Sequence, residues 1–300
     1  MSKPPILKGV FAAALTPMKA DLTPDDALLA AHCKGLLAQG CDGIAILGTT
    51  GEANSLCMKE RIRVMDWMVA AGIDPARLLP GTGCCALTDS VIQTTRAVEL
   101  GMGGVLMLPP FYYKDVSDDG LFAAYAEVIE QVGSERLRVY LYHFPHMSAV
   151  PLSVTLVERL ARAYPETVVG LKDSSGDVAY LRALKAALPD FAVFTGRDDT
   201  LRAFMQEGAA GCITGLCNIA APLLRAAFDG DDAALETVAA LRAAISPYPL
   251  TPALKAIMGR VTGDSRWAPM RPPLMALDTA QTDALMAAIA ATGYTVESPC

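Results

Sequence analysis

Short apolar runs alternate with longer segments whose apolar residues recur every three to four positions, and the alternation repeats along most of the chain. The first run, residues 10–15, ends at Thr16-Pro17. Leu29, Cys33, Leu36 and Leu37 then fall at i, i+4, i+7 and i+8, one face of a 3.6-residue period. Thr23-Pro24-Asp25-Asp26 predicts the start of that helix, with Thr23 as capping hydroxyl, proline at the first helical position and acids near the positive end; Gly40 marks its stop. Further runs are predicted at 43–47, 78–79, 105–108, 139–144, 168–171, 191–194 and 212–214. Helical segments are predicted at about 59–71, from Thr88-Asp89 to near Gly101, through Leu121, Tyr125, Val128, Ile129 and Val132, and at about 152–163, 177–188 and 199–207.

Eight strand-like runs, each followed by a helical segment, predict a parallel sheet, because parallel strands need long crossovers. Eight is the number that closes a (β/α)8 TIM barrel, and residues 1–230 suit its usual size. An open doubly wound sheet is the alternative, but no Gly-x-Gly-x-x-Gly follows the first run. From residue 231 to 300 the pattern becomes helices only, at 231–245, 251–260 and 279–291, read as a helical C-terminal extension packed on the barrel.

Composition narrows the function classes. The chain is 52% hydrophobic and 19% charged, enough to bury a sizeable core and too little charge for a solvating chain. A formal net charge of −7 argues against nucleic acid or an anionic membrane as partner, since phosphate binding needs clustered Lys and Arg. No apolar run reaches the ~20 residues of a membrane-spanning helix, and the start, Met1-Ser2-Lys3-Pro4-Pro5, does not read as a signal peptide. A cytoplasmic location follows as the expectation. The eight cysteines (Cys33, Cys41, Cys57, Cys84, Cys85, Cys212, Cys217 and Cys300) form no Cys-x-x-Cys and read as thiols in a reducing compartment.

In a barrel the chemistry sits where strands end and loops begin. That rule selects Thr16, Thr49, Thr50, Tyr112, Tyr142, Lys172, Arg197 and the backbone near Ile213. Strand alternation puts Val168, Gly170 and Lys172 on one face, with Gly170 expected to leave space beneath the lysine. A free lysine has a pKa of ~10.4, leaving about one part in a thousand as amine near neutrality; burial disfavours ammonium. A lysine in an apolar pocket is therefore suited to form a Schiff base with a carbonyl substrate. The alternative is a lysine paired with Asp173. Tyr142 could move protons beside such a lysine, or simply be a core tyrosine. Gly48-Thr49-Thr50-Gly51-Glu52 offers backbone N–H groups and two hydroxyls fit for a carboxylate, or is an ordinary turn. Of the three histidines, His143 and His146 flank Pro145 with no carboxylate near, so no metal site is expected.

Taken in order, Thr16-Pro17, Gly48-Thr49-Thr50-Gly51-Glu52, Pro110-Phe111-Tyr112-Tyr113, Tyr142-x-x-Pro145, Gly170-Leu171-Lys172-Asp173 and Gly196-Arg197-Asp198-Asp199 resemble the dihydrodipicolinate synthase / N-acetylneuraminate lyase family, the pyruvate-type class I aldolases on a (β/α)8 barrel. The likeness spans about residues 8–230. It implies that Lys172 forms the Schiff base with pyruvate or a 2-keto acid and that Tyr142 relays protons. It implies that Thr49 and Thr50, with Gly48, bind the carboxylate, that backbone at Gly196 and Ile213 lines the pocket, and that Tyr112 enters a neighbouring subunit's site. It further implies a homotetramer, a dimer of dimers, with no metal and no organic cofactor. Dihydrodipicolinate synthases place an arginine shortly after the fifth-run tyrosine to hold a carboxylate; here that position is Met147, and a bidentate clamp is lost. His143, where the family often has asparagine, is expected to face the second substrate. The implied activity is a Schiff-base lyase acting on pyruvate and an aldehyde, with a 2-keto-3-deoxy sugar acid as substrate. Dihydrodipicolinate synthase and a dehydratase of such acids are the alternatives on this scaffold. A metal-dependent aldolase and a ligand-binding relative are disfavoured by the scarcity of histidine and by the Lys172/Tyr142 pair.

Overall fold

The computed structural model describes residues 3–299; Met1, Ser2 and Cys300 lie outside the described residues. The elements run β1 (Gly9–Ala13), α1 (Asp26–Ala38), β2 (Gly43–Ala45), α2 (Met58–Ala70), α3 (Leu87–Glu99), β3 (Val105–Met107), α4 (Asp118–Val132), β4 (Val139–His143), α5 (Pro145–Ser148), α6 (Val154–Ala163), β5 (Val168–Asp173), α7 (Val178–Ala187), β6 (Ala192–Thr195), α8 (Leu201–Gln206), β7 (Gly211–Thr214), α9 (Cys217–Phe228), α10 (Asp232–Ile245), α11 (Leu250–Thr262) and α12 (Thr279–Ala290). This is an α/β chain with the strand–helix order of a (β/α)8 barrel. Its contacts form two compact units, one of residues up to 9 with 74–213, the other of 10–73 with 214 onward.

In the first unit five parallel strands lie side by side in the order β7-β6-β5-β4-β3. The register pairs Tyr142 with Lys172 and Lys172 with Phe194 across three neighbouring strands. Every residue of β4, β5 and β6 is buried, as expected of parallel strands covered by helices on one face and side chains on the other. The helix α4 is capped by Ser117 and closes on Gly133 in the left-handed conformation, burying Leu121, Tyr125, Val128 and Ile129 along one face.

The expected strand at 78–79 is not assigned. The chain there makes a single parallel bridge, Gly81 to Leu106 of β3, with the Leu106 N–H donating to the Pro80 carbonyl at 2.9 Å. Pro80 has no N–H to return, so the ladder stops after one rung. Seven strands are thus assigned among the described residues rather than eight.

In the second unit β1 and β2 pair in parallel, Phe11 opposite Gly43. The start of α1 differs from expectation. Asp25, not Thr23, is the cap, its carboxylate accepting from the Leu28 N–H at 3.0 Å. Thr23 instead donates to Asp21, and Pro24 lies in an antiparallel bridge with Met18, which keeps it out of the helix. α10 packs on α9, α11 also packs on α9, and α12 packs on both α10 and α11. Among the described residues no helix is long and apolar enough to cross a membrane.

Candidate active site

β5 carries Lys172 at the middle of the five-stranded array of the first unit, 6% exposed. Its Nζ lies 4.5 Å from the centre of the Tyr142 ring on neighbouring β4. The same face carries Tyr140 and Phe194, whose rings meet edge to face at 6.0 Å and are wholly buried. Apolar aromatic walls of this kind take a lysine out of bulk water.

Two glycines shape the surroundings of Lys172. A β-carbon on Gly170 would lie 2.6 Å from the Tyr140 ring, so the space below Lys172 is occupied by that ring instead of being open as expected. A β-carbon on Gly196, just past β6, would lie 2.0 Å from Ser174 Oγ and 2.9 Å from Lys172 Cε. Glycine is what allows the lysine stem and the buried Ser174 to lie there. The Gly196 N–H donates to the Asp173 carbonyl at 2.6 Å, which fixes the loop against the end of β5. Ile213 is fully buried on β7.

Asp173 is not the partner of Lys172. It is the next residue along the strand, so its side chain leaves from the opposite face, where Oδ1 accepts the Ser175 N–H at 2.7 Å and, among the described residues, Oδ2 meets no partner. Burial raises its pKa above the ordinary value, against the opposing effect of the Ser175 bonds.

His143 lies on the opposite side of β4 from Tyr142 and Lys172. It is one position beyond Tyr142, so its ring emerges from the other side of β4 and stacks on Tyr180 of α7, centroids 4.5 Å apart. Its Nδ1 accepts the Leu152 N–H at 3.0 Å. Burial, helped by His146, pulls its pKa down to about 4, against the pull of Asp177 in the other direction. Tyr112 and Tyr113 form an exposed edge-to-face pair, 73% and 71% accessible, and Met147 is 65% accessible.

The second unit carries Gly48, Thr49 and Thr50, in a turn between β2 and α2. Non-glycine residues in the left-handed conformation stand at both ends, Leu47 at φ 56° and Glu52 at φ 55°. The Glu52 and Ala53 N–H groups donate back to the carbonyls of Thr49 and Gly48, each at 3.1 Å. Among the described residues no group accepts from the Thr49 or Thr50 N–H. A turn with free amides of this kind is suited to an anion. Thr16 donates to the Gly51 carbonyl at 2.8 Å, and Gly51 has no room for a side chain, its β-carbon position being 2.9 Å from the Ala14 carbonyl.

Sequence reasoning missed three contributors. Ser174 lies in Lys172's shadow, one residue past the more conspicuous Asp173. Asn218 of α9 accepts from the Leu15 N–H and donates to the carbonyls of Ala13 and Gly215, tying the end of β1; His32 lies against it and is held neutral, its pKa pulled down to about 4 by burial. Lys255 of α11 forms a buried ion pair with Glu52. The only hint in the sequence was a lone cation on an otherwise apolar helix face, among Ala253, Leu254, Ile257 and Met258.

A sequestered strand lysine beside a tyrosine ring and a glycine loop is an arrangement suited to Schiff-base chemistry. The chain belongs to the dihydrodipicolinate synthetase family, whose model matches residues 6–292. An uncharacterized DapA-like lyase of Chloroflexus aurantiacus is 35% identical over 288 residues, covering 94% of this chain and 95% of that one. The crystal structure of dihydrodipicolinate synthase from Agrobacterium tumefaciens is 34% identical, with a TM-score of 0.90 over 95% of this chain and 99% of that one. YagE of E. coli K12, a family member crystallised in complex with pyruvate, is 26% identical with a TM-score of 0.87 over 96% and 99% of the two chains. This chain is accordingly an α/β-barrel enzyme and a class I lyase of that family.

Proposed function

We propose that the enzyme acts through a Schiff base between Lys172 and a 2-keto acid, pyruvate on one side of the reaction, and that its other partner is an aldehyde. The observation that carries this reading is the buried Lys172 side chain against the Tyr142 ring, 4.5 Å from Nζ to the centroid. The pyruvate bound to YagE supports the choice of keto acid.

The chemistry balances as a retro-aldol cleavage of a 2-keto-3-deoxy sugar acid. The Lys172 amine condenses with the C2 ketone and releases water. A proton leaves the C4 hydroxyl, the C3–C4 bond breaks, and its electron pair flows into the iminium, which acts as electron sink. The aldehyde departs. The resulting enamine takes a proton at C3, and water hydrolyses the imine to return pyruvate and the free amine. Tyr142 is the group that takes and returns protons. Thr49 and Thr50, with Gly48, take the carboxylate through the open N–H groups of their turn. Backbone at Gly196, which lies against Lys172 Cε, and at Ile213 is assigned to the pocket lining.

The second-substrate assignment rests on Met147. A carboxylated aldehyde needs a cationic clamp, and a thioether supplies none, so a hydroxylated aldehyde fits better than the semialdehyde of a 4-hydroxy-tetrahydrodipicolinate synthase. Loss of water from the same imine is the competing outcome, a dehydratase. We also read the enzyme as a cytoplasmic homotetramer. The exposed Tyr112, Tyr113, Val116 and Met147 are then apolar surface for a neighbouring copy, with Tyr112 reaching its site. Residues 231–300 are read as the helical extension of a catalytic barrel at 1–230.

Borohydride reduction in the presence of pyruvate, followed by peptide mass mapping, tests the chemistry. An adduct on Lys172 is the expected result, and its absence sinks the proposal. Pyruvate release from a panel of 2-keto-3-deoxy acids then identifies the partner aldehyde.

A further inference from the structure

The turn at 48–52 is gripped by a charged device within its own unit. Glu52, the last residue of the turn, and Lys255 of α11 form an ion pair whose side chains are 0% and 1% exposed. Every strong acceptor of the pair is used. One Glu52 oxygen takes the Lys255 ammonium, and the other accepts the Arg271 N–H at 3.2 Å. Lys255 also donates to the Pro269 carbonyl at 3.0 Å. One turn earlier on the same face of α11, Thr251 donates to the Thr50 carbonyl at 3.4 Å.

A buried ion pair is a poor device for stability, because desolvating two charges roughly cancels their attraction and an apolar pair of the same shape does as well. What a fully hydrogen-bonded pair supplies is a fixed geometry. Here it acts on a residue whose backbone is left-handed, a conformation that glutamate avoids unless its surroundings over-determine it. The Arg271 side chain extends the grip, donating to the Ser55 carbonyl at 2.6 Å and pairing with Glu60 at the start of α2.

We propose that Lys255 and Thr251 are positioning residues for substrate: through Glu52 and the Thr50 carbonyl, α11 holds the Thr49 and Thr50 N–H groups in the arrangement that takes a carboxylate. This rests on the reading that those two threonines bind the carboxylate of the keto acid. The role assigned to the helix is indirect, exerted through Glu52 and the Thr50 carbonyl. It sets how well the turn distinguishes a charged keto acid from a neutral ketone of the same shape.

The test compares borohydride trapping by pyruvate with trapping by pyruvamide, which keeps the ketone and lacks the charge. Wild type is expected to half-saturate at a pyruvate concentration at least ~10-fold below that for pyruvamide. The double variant Glu52→Gln/Lys255→Met removes both charges together and leaves no buried unpaired ion. Its half-saturation by pyruvate should rise about 10-fold while that by pyruvamide stays put, so the preference collapses. The single variant Lys255→Arg, which keeps both charges, should retain most of the preference. A folded double variant that keeps the full preference overturns the proposal. Should the double variant not fold, Thr251→Val decides, with an expected rise of about 2- to 5-fold for pyruvate alone; no rise overturns the proposal. Wild type that traps neither compound refutes the Schiff-base reading, and wild type that traps both alike refutes the carboxylate reading. Either result removes the ground of this inference and is distinct from a preference that survives in the variants.

Discussion

The stem of Lys172 runs directly over the α-carbon of Gly196, so close that a β-carbon there would sit 2.9 Å from Lys172 Cε and 2.0 Å from Ser174 Oγ. Gly196→Ala should therefore push the lysine off line. Overpacking of this kind costs about 1–3 kcal/mol, and a displaced nucleophile loses about 100-fold in kcat/KM. Ser174→Gly in the same background removes the nearest obstacle and should recover part of the loss. Pyruvate-release kinetics on the single and double variants measure both effects.

Gly170→Ala tests the packing beneath the site. The new methyl would meet the Tyr140 ring at 2.6 Å and the backbone carbonyl of Ala192 at 2.5 Å. The carbonyl belongs to the neighbouring strand and cannot swing away. A loss of roughly 2–4 kcal/mol in unfolding free energy is expected, read as a lower midpoint in urea.

Tyr142→Phe separates binding from proton movement. The ring that faces Lys172 remains, so the borohydride adduct should still form. Turnover should fall by about 10²–10⁴-fold, the usual worth of a positioned acid–base group. An unchanged kcat would remove Tyr142 from the chemistry.

His32 and His143 are both held neutral, each with its pKa pulled down to about 4 in the fold, chiefly by burial. Unfolded histidine titrates near 6.5. The unfolded chain thus binds protons that the fold refuses, so these groups' contribution is fully present above pH ~6.5 and is lost as pH falls toward 4. Each contributes on the order of 2–3 kcal/mol to that slope. His143→Asn keeps an acceptor for the Leu152 N–H and cannot be protonated. Its urea midpoint should depend less on pH between 6.5 and 4.5 than that of wild type.

Much of this was legible from periodicity. The runs around Val105, Tyr142, Lys172, Phe194 and Ile213 became strands β3 to β7, and the spacing of Leu121, Tyr125, Val128 and Ile129 became the buried face of α4. Strand alternation correctly put Lys172 on the same face as Gly170. What was hidden depended on partners far along the chain. Nothing near Gly170 reveals that Tyr140 fills its space, and Lys255 meets its counter-ion 203 residues upstream. The strand at 78–79 failed for a local reason, the missing N–H of Pro80, which run length alone does not register. The packing of His143 on Tyr180 was not legible, because a motif names a position and not the side of the strand from which its ring leaves.

The 203-residue separation between Glu52 and Lys255 also bears on how the polypeptide is born. When the segment around Glu52 leaves the ribosome, the ammonium that will neutralise it has not been translated. At a synthesis speed of about 5–20 residues per second the wait is on the order of 10–40 seconds. Until then the carboxylate has every reason to stay hydrated, so this part of the enzyme matures late, and premature termination before codon 255 leaves it without its counter-charge.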